Sequence, residues 1–238
     1  MRRIIVVAIL AWLGGACGRR GEDGRSAEAG RSALPAPDNR PVVLCFGTSL
    51  TAGLGLAPEE SYPALLQRKV DSAGLEFRVV NAGVSGETAA AGLRRIEWLL
   101  SQPVAVLVLE LGANEALRGQ DLADARRNLQ EIIDRTRARY PGVRVVVAGM
   151  EAPPNLGRGY ADEFRELFRN LARENHAALI PFLLDGVAGR AELNQVDGIH
   201  PAAEGARVVA ATVWRVLEPE LRGGPAPPGL RPGAKPPL

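Results

Sequence analysis

The chain has 238 residues with nearly balanced charge, 29 Lys and Arg against 27 Asp and Glu. A net charge of +2 gives no indication of a nucleic-acid partner. Two cysteines cannot form a disulfide framework, and two histidines far apart in sequence leave no metal site of recognisable spacing. There is also no phosphate-loop or dinucleotide-binding fingerprint. We therefore expect no metal ion, no cofactor and no nucleic acid.

The amino terminus resembles a bacterial secretory signal. In residues 1–17, Met-Arg-Arg is followed by an apolar run over 4–13 and then by small residues. This run is too short for a mature transmembrane helix. Cys17 follows Gly-Gly-Ala, which resembles a lipobox, although Gly14 stands where a large aliphatic residue is usual. We expect an exported bacterial protein, periplasmic or lipid-anchored at Cys17, with simple cleavage after Ala16 as the alternative; the small residues before Cys17 argue against an uncleaved anchor.

A single folded domain is predicted between two low-complexity segments. Residues 18–40 are rich in Gly, Arg, Ser, Ala and Pro and lack hydrophobic periodicity, which predicts a flexible tether. Residues 223–238 are rich in Pro and Gly and predict a disordered tail. Between them, residues 41–222 alternate strand-like and helix-like segments, which predicts one α/β domain with a mainly parallel sheet. We expect it to be a monomer.

The first strand of this domain ends at a turn that contains a serine. Five consecutive apolar residues, Val42 to Phe46, are typical of a strand buried on both faces, and Gly47 allows a sharp turn after it. Ser49 then lies at the carboxyl end of a strand, where open α/β sheets place their sites. Ser49 is the candidate nucleophile; a strand followed by an ordinary hydroxyl-rich loop is the alternative.

The middle of the chain contains two further loops of this kind. Gly86 follows an apolar segment and precedes a helical one, so its N–H can be exposed at the turn. Asn114 follows the buried-looking strand Val104 to Leu109 and has an amide that can donate. Together with the N–H of Ser49, these groups predict a three-donor oxyanion hole. Gly and Asn are also the usual occupants of such turns.

Other periodic segments complete the alternation, with Ser61 expected to cap the first helix and Pro201 expected to open the last. The predicted helices cover 61–73, 88–100, 121–139, 160–175 and 201–221, and the further strands cover 77–80, 143–148 and 178–182.

A general base must be one of the two histidines. His176 ends a helical pattern, where a polar or cationic residue is ordinary, and we interpret it as structural. His200 follows Asp197 by three residues, so the carboxylate can bind one imidazole nitrogen while the other faces outward. Ser49, His200 and Asp197 thus supply a nucleophile, a base and an orienting acid. The alternative is that Asp-Gly marks a turn and His-Pro a helix start.

At these positions the chain resembles the SGNH (GDSL-type) hydrolase family, from about Pro41 to Leu221. Within it, the sequence looks most like the bacterial thioesterase I, lysophospholipase L1 and arylesterase branch. The segments that carry the resemblance are Gly47-Thr48-Ser49-Leu50, Val84-Ser85-Gly86-Glu87-Thr88, Glu110-Leu111-Gly112-Ala113-Asn114 and Asp197-Gly198-Ile199-His200-Pro201. The resemblance implies a flavodoxin-like, three-layer α/β/α fold with a five-stranded parallel sheet. It also implies the same roles for Ser49, Gly86, Asn114, Asp197 and His200.

The resemblance also identifies two departures and one further loop. Thr48 and Glu115 each stand where the family usually has Asp, which leaves the catalytic groups intact and affects loop bracing or substrate preference. In the thioesterase-like branch the loop after the fourth strand helps to line the acyl pocket. This implies substrate contacts for Pro153, Asn155 and Leu156, with an ordinary strand-to-helix connection as the alternative.

The expected activity is hydrolysis of aryl or alkyl esters, lysophospholipids or thioesters through an acyl-enzyme. A carbohydrate O-acetylesterase would share this mechanism and differ in pocket shape. A lipoprotein that binds acyl lipids or glycans without turnover is the alternative from another class.

Overall fold

A five-stranded parallel sheet forms the centre of the protein. The computed structural model describes residues 38–152 and 154–223. The strands are β1 (Val42–Gly47), β2 (Arg78–Gly83), β3 (Val104–Glu110), β4 (Arg144–Ala148) and β5 (Ala178–Ile180). Their order in the sheet is β2-β1-β3-β4-β5, and every neighbouring pair is parallel.

This strand order creates a crevice at the carboxyl edge of the sheet. The chain passes from β1 to β2 on one side and then crosses back to place β3 on the other side of β1. Ligands of open α/β sheets bind where the order reverses in this way. The loops that follow β1, β2 and β3 therefore meet at one place.

Helices cover both faces of the sheet. Their bounds are α1 (Ser49–Ala52), α2 (Tyr62–Ser72), α3 (Ala89–Leu99), α4 (Ala113–Leu117), α5 (Leu122–Arg139), α6 (Arg158–Glu174) and α7 (Ala203–Arg222). Helix α2 packs on α7, while α3 packs on α5 and α5 on α6. The predicted three-layer α/β/α architecture is confirmed.

The central strands are buried because helices cover them on both sides. Every residue of β1 and β3 is buried, and their branched aliphatic composition suits a strand with no solvent-facing side. Cys45 is fully buried in β1, and burial raises the pKa of its thiol to about 12. It packs as an apolar residue, as predicted.

Several predicted element ends differ from the structure. Strand β2 was expected to end at Val80 but continues to Gly83, and its last three residues pair with β1. Ser61 does precede α2, but its hydroxyl donates to the carbonyl of Pro58 at 2.8 Å and does not cap the helix.

Strand β5 was expected to reach Phe182 but ends at Ile180. The N–H of Gly149 still donates to the carbonyl of Ile180 at 2.8 Å, but the carbonyl of Gly149 accepts from Leu183 at 2.9 Å and not from Phe182, so the regular ladder stops there.

The terminal segments are not covered in full. The described residues do not include the predicted signal segment 1–17, which contains Cys17. They also exclude the predicted tether except for its last three residues, and the predicted tail beyond residue 223. No helix in the described ranges is both long enough and apolar enough to span a membrane.

Candidate active site

The structure brings Ser49, His200 and Asp197 into one hydrogen-bonded line. His200 Nε2 lies 2.9 Å from Ser49 Oγ, and His200 Nδ1 lies 2.6 Å from Asp197 Oδ2. The imidazole is largely buried while the carboxylate is partly exposed, with 16% and 44% of each side chain accessible. This is the arrangement of a nucleophile, a base and an orienting acid.

Asp197 is held by the backbone of its own loop as well as by the imidazole. Its Oδ1 accepts from the N–H groups of His200, at 3.0 Å, and Ile199, at 2.9 Å. The His200 N–H, followed by the imidazole and the Ile199 N–H, lowers the pKa of Asp197 to about 2. The carboxylate is therefore charged at every pH at which the protein is expected to work, and its second oxygen is directed at the imidazole.

A short antiparallel pairing fixes the segment that carries His200. The N–H of Gln195 donates to the carbonyl of His200 at 2.7 Å, and the N–H of Ala202 donates to Leu193 at 2.8 Å. This pairing corrects the expectation that Pro201 opens the last helix. Pro201 instead lies in a bridge opposite Asn194, and α7 begins two residues later.

The turn after β1 presents Ser49 as the first residue of α1. Thr48 caps this short helix, with its side chain accepting from the N–H of Leu50 at 3.4 Å. The N–H of Ser49 is in the first turn of α1, where no helical carbonyl is available to accept it. The hydroxyl and the N–H of Ser49 therefore belong to one rigid turn at the end of β1.

Gly86 and Asn114 border the same space as Ser49 and His200. Gly86 has a φ of 78°, a left-handed conformation that side chains other than glycine rarely adopt, so the loop needs glycine there. Asn114 is half-buried near the start of α4, and its Nδ2 donates to the carbonyl of Glu87 at 2.9 Å. An amide nitrogen carries two protons, so this bond orients the side chain and leaves a second N–H to donate.

Both residues that replace the family's usual Asp are buried and hydrogen-bonded. Thr48 caps α1 through its hydroxyl, as described above, and is 1% exposed. Glu115 accepts from the N–H of Ala89, the first residue of α3, at 2.5 Å. Burial raises the pKa of Glu115. Each residue therefore braces a loop next to the site.

A largely apolar cavity opens at Ser49 and His200. Its volume is about 1400 Å³, including space open to solvent. The larger apolar side chains in its lining are Leu50, Leu54, Leu117, Met150, Phe182, Leu184 and Ile199. A cavity of this kind favours an apolar group beside the reacting carbonyl.

The loop after β4 contributes to this cavity with a different part from the one expected. Met150, Glu151 and Ala152 line the cavity, whereas Asn155 and Leu156 are not among its lining residues. Pro153 lies outside the described residues. The reason is geometric: the residues closest to the strand end lie closest to the sheet edge, where Ser49 is also placed.

Exposed apolar side chains cluster around the mouth of the cavity. In the described part of the chain, six large apolar residues are exposed, and Trp98 on α3 is one of them. Three of the others, Leu54, Leu117 and Ile199, line the cavity itself. Val84 and Val196 lie on the loops that carry Gly86 and Asp197. Clustering of exposed apolar surface at one place is typical of a binding surface.

His176 is far from this chemistry. It follows the end of α6 with a φ of 46°, exposed and in the left-handed conformation common after a helix. Within the described ranges, no group of three or more His, Cys, Asp or Glu side chains is placed to hold a metal ion.

Comparison with known proteins places this geometry in context. Residues 45–208 match the model of the GDSL-like lipase/acylhydrolase family. Esterase TesA of Pseudomonas aeruginosa is 39% identical over 181 residues, which is 76% of this chain and 89% of that protein. A thioesterase 1/protease 1/lysophospholipase L1 of Escherichia coli K12 is 34% identical, over 75% of this chain and 84% of that protein. The crystal structure of AlinE4, an SGNH-hydrolase family esterase, is 43% identical with a TM-score of 0.63, covering 75% and 96% of the two chains.

Proposed function

The chain belongs to the GDSL-like lipase/acylhydrolase family and hydrolyses esters, and we propose that it does so with Ser49 as nucleophile, His200 as base and Asp197 as orienting acid. The single observation that carries this assignment is the continuous line of contacts from Ser49 Oγ through the imidazole to Asp197. A protein that only binds acyl lipids or glycans would have no need of this line.

The proposed reaction proceeds in two half-reactions. His200 Nε2 takes the proton of Ser49 as Oγ attacks the carbonyl carbon, and Asp197 stabilises the imidazolium that forms. The negative charge on the carbonyl oxygen is stabilised by the N–H groups of Ser49 and Gly86 and by the Asn114 amide. His200 then gives its proton to the departing alcohol or thiol, which leaves the acyl group on Ser49. A water molecule, deprotonated by His200, releases the acid and restores Ser49.

We further propose that the preferred substrates carry an apolar acyl or aryl group. The apolar lining of the cavity and the apolar side chains at its mouth support esters of aryl or alkyl type, lysophospholipids or thioesters. An acetylated sugar would leave most of this apolar surface uncovered. Among the described residues that line the cavity, Glu151 is the one carboxylate, and its side chain is exposed.

The substrate class is tested with esters that share one leaving group. We expect kcat/KM for p-nitrophenyl esters to rise from acetate through butyrate to octanoate, because each added methylene buries apolar surface worth about 0.8 kcal/mol. Release of acetate from acetylated xylo-oligosaccharides should be slow by comparison. Faster hydrolysis of the acetylated sugars than of every longer acyl ester would identify a carbohydrate O-acetylesterase.

We propose that the protein is exported and held at a membrane by lipidation of Cys17. The basic start, the apolar run and the small residues before Cys17 support this. Expressed in a bacterial host, the wild type should fractionate with membranes, and Cys17→Ala should move to the soluble fraction with its kcat unchanged. A soluble wild type with a free amino terminus after Ala16 would instead show simple cleavage.

Asn114→Ala tests the oxyanion hole. We expect kcat to fall roughly 100- to 1,000-fold, because one donor to the developing charge is lost. KM should change little, since a neutral carbonyl gains less from this hydrogen bond than the oxyanion does. Steady-state kinetics on p-nitrophenyl butyrate measures both constants. Asn128→Ala is a matched control, because Asn128 is half-buried on α5 and does not line the cavity; a loss that the two variants share would exclude the proposed role.

A further inference from the structure

A buried carboxylate lies directly beneath the turn that carries Ser49. Glu110 is the last residue of β3 and is completely buried. Its Oε2 accepts from the N–H of Thr48 at 2.8 Å and from the hydroxyl of Thr51 at 2.7 Å. Its Oε1 is 2.9 Å from the hydroxyl of Thr48. Three donors from the two residues that flank Ser49 and Leu50 thus converge on a single side chain.

The hydroxyls of Thr51 and Thr48 also contact further groups, so the donors to Glu110 belong to a longer hydrogen-bonded network. The phenolic oxygen of Tyr62 lies 2.8 Å from the hydroxyl of Thr51, and the N–H of Leu50 donates to the hydroxyl of Thr48. If Glu110 is ionised, Thr51 and Thr48 both donate to the carboxylate and accept from the groups behind them, so every proton has an acceptor. Burial raises the pKa of Glu110, and the hydrogen bonds from Thr51 and Thr48 oppose that rise.

Gly47 provides independent evidence that this cluster is built into the turn. A Cβ atom at Gly47 would collide with the hydroxyl of Thr51 and with the side chain of Glu110. The glycine therefore leaves room for the carboxylate directly against the backbone of the nucleophile turn. A water molecule or a small apolar side chain could fill the same space, but neither would accept hydrogen bonds from all three donors.

We propose that Glu110 is a positioning residue for the nucleophile, a role that rests on the proposed function of Ser49. By fixing Thr48 on one side and Thr51 on the other, its carboxylate sets the orientation of α1. That orientation aims the Ser49 hydroxyl at His200 and its N–H at the oxyanion. Glu110 itself touches neither substrate nor the reacting atoms.

The test compares Glu110→Gln with Thr51→Val and Thr51→Ser. Glu110→Gln can keep its amide oxygen at the position of Oε2 but puts an NH₂ group where Oε1 accepts from the Thr48 hydroxyl at 2.9 Å, which leaves that hydroxyl only the longer contact of 3.1 Å to the other oxygen. Thr51→Val removes one donor without changing the shape of the side chain. We expect each to lower kcat roughly 10- to 100-fold with KM nearly constant, because small misplacements of a reacting group cost about this much. Thr51→Ser keeps the hydroxyl and should restore most of the wild-type kcat.

A double variant and a matched control separate positioning from loss of stability. The loss in Glu110→Gln/Thr51→Val should be smaller than the product of the two single losses, because the residues act through one contact. Thr136→Val removes another fully buried threonine hydroxyl, which donates to Ile132 within α5 at 2.7 Å. It should lower Tm without lowering kcat.

Two outcomes would overturn the positioning role. One is a kcat for Thr51→Val equal to that of Thr136→Val; the other is a loss in Thr51→Val that Thr51→Ser shares in full. Neither depends on whether Glu110→Gln folds. Ser49→Ala, measured in parallel, separates the two levels of the proposal: retained turnover would contradict the proposed nucleophile, whereas an inactive Ser49→Ala beside a fully active Thr51→Val would contradict only the role of Glu110.

Discussion

Ser49→Ala is expected to lower kcat by about 10⁶-fold, the scale on which loss of a serine nucleophile abolishes covalent catalysis. The Ser49 hydroxyl has His200 as its partner in the structure, and Thr48 continues to cap α1 in the variant. Folding should therefore be retained. Stopped assays on p-nitrophenyl butyrate, with Tm measured on the same preparations, check both statements.

The matched control for this variant is Ser72→Ala, since Ser72 lies exposed at the end of α2 and bonds only within its own helix. It should keep wild-type kcat.

His200→Ala should lose about as much activity as Ser49→Ala, and the double variant hardly more, because the two residues act as one unit. Additive losses would show that they act in separate steps.

Asp197→Asn is expected to lower kcat by about 10⁴-fold while substrate binding is largely kept. The loop dictates the orientation of the new amide, because its oxygen must accept the N–H groups of Ile199 and His200 that Oδ1 accepts now. Its NH₂ group then donates to His200 Nδ1. This places the imidazole proton on Nε2, where the ring can no longer accept the proton of Ser49.

A control variant tests whether the loss of one negative charge, without a change of the His200 tautomer, lowers kcat. Asp185→Asn removes an exposed carboxylate whose nearest cationic partner is Arg215, at 3.9 Å, and kcat should be unchanged. Pre-steady-state kinetics should show slow acylation and slow deacylation in Asp197→Asn, because His200 is the base in both half-reactions. A variant with normal acylation and slow product release would contradict the orienting role.

The parts of the fold that sequence predicted best are those with a strong local signal. The uninterrupted apolar runs in β1 and β3 can only be satisfied by a sheet covered on both faces, and Gly47 marks where the first run must turn. The scarcity of histidine reduced the choice of base to two residues, and Asp197 in the same loop distinguished His200 from His176. The structure brings Ser49, Asp197 and His200 together as expected.

The features that sequence did not predict depend on contacts between distant segments. Glu110 sits at the end of a buried strand, and nothing in its local pattern indicates that Thr48 and Thr51 donate to it from 62 and 59 residues away. The sequence did contain one indication of this role: a single carboxylate ends an apolar run that is predicted to be buried. A buried charge requires hydrogen-bond partners. The prediction that Pro201 opens the last helix was wrong for a similar reason. The pairing of Pro201 opposite Asn194 outweighs the usual preference of proline for a helix start.

The assignment of Ser49 as nucleophile is tested most directly by covalent labelling. The purified protein is treated with a fluorophosphonate and digested, and the adduct is located by mass spectrometry. We predict one adduct, on Ser49, whose formation abolishes ester hydrolysis and which is absent from His200→Ala. An active enzyme that labels at another residue, or that hydrolyses esters with Ser49 unmodified after full labelling, would contradict the proposed mechanism.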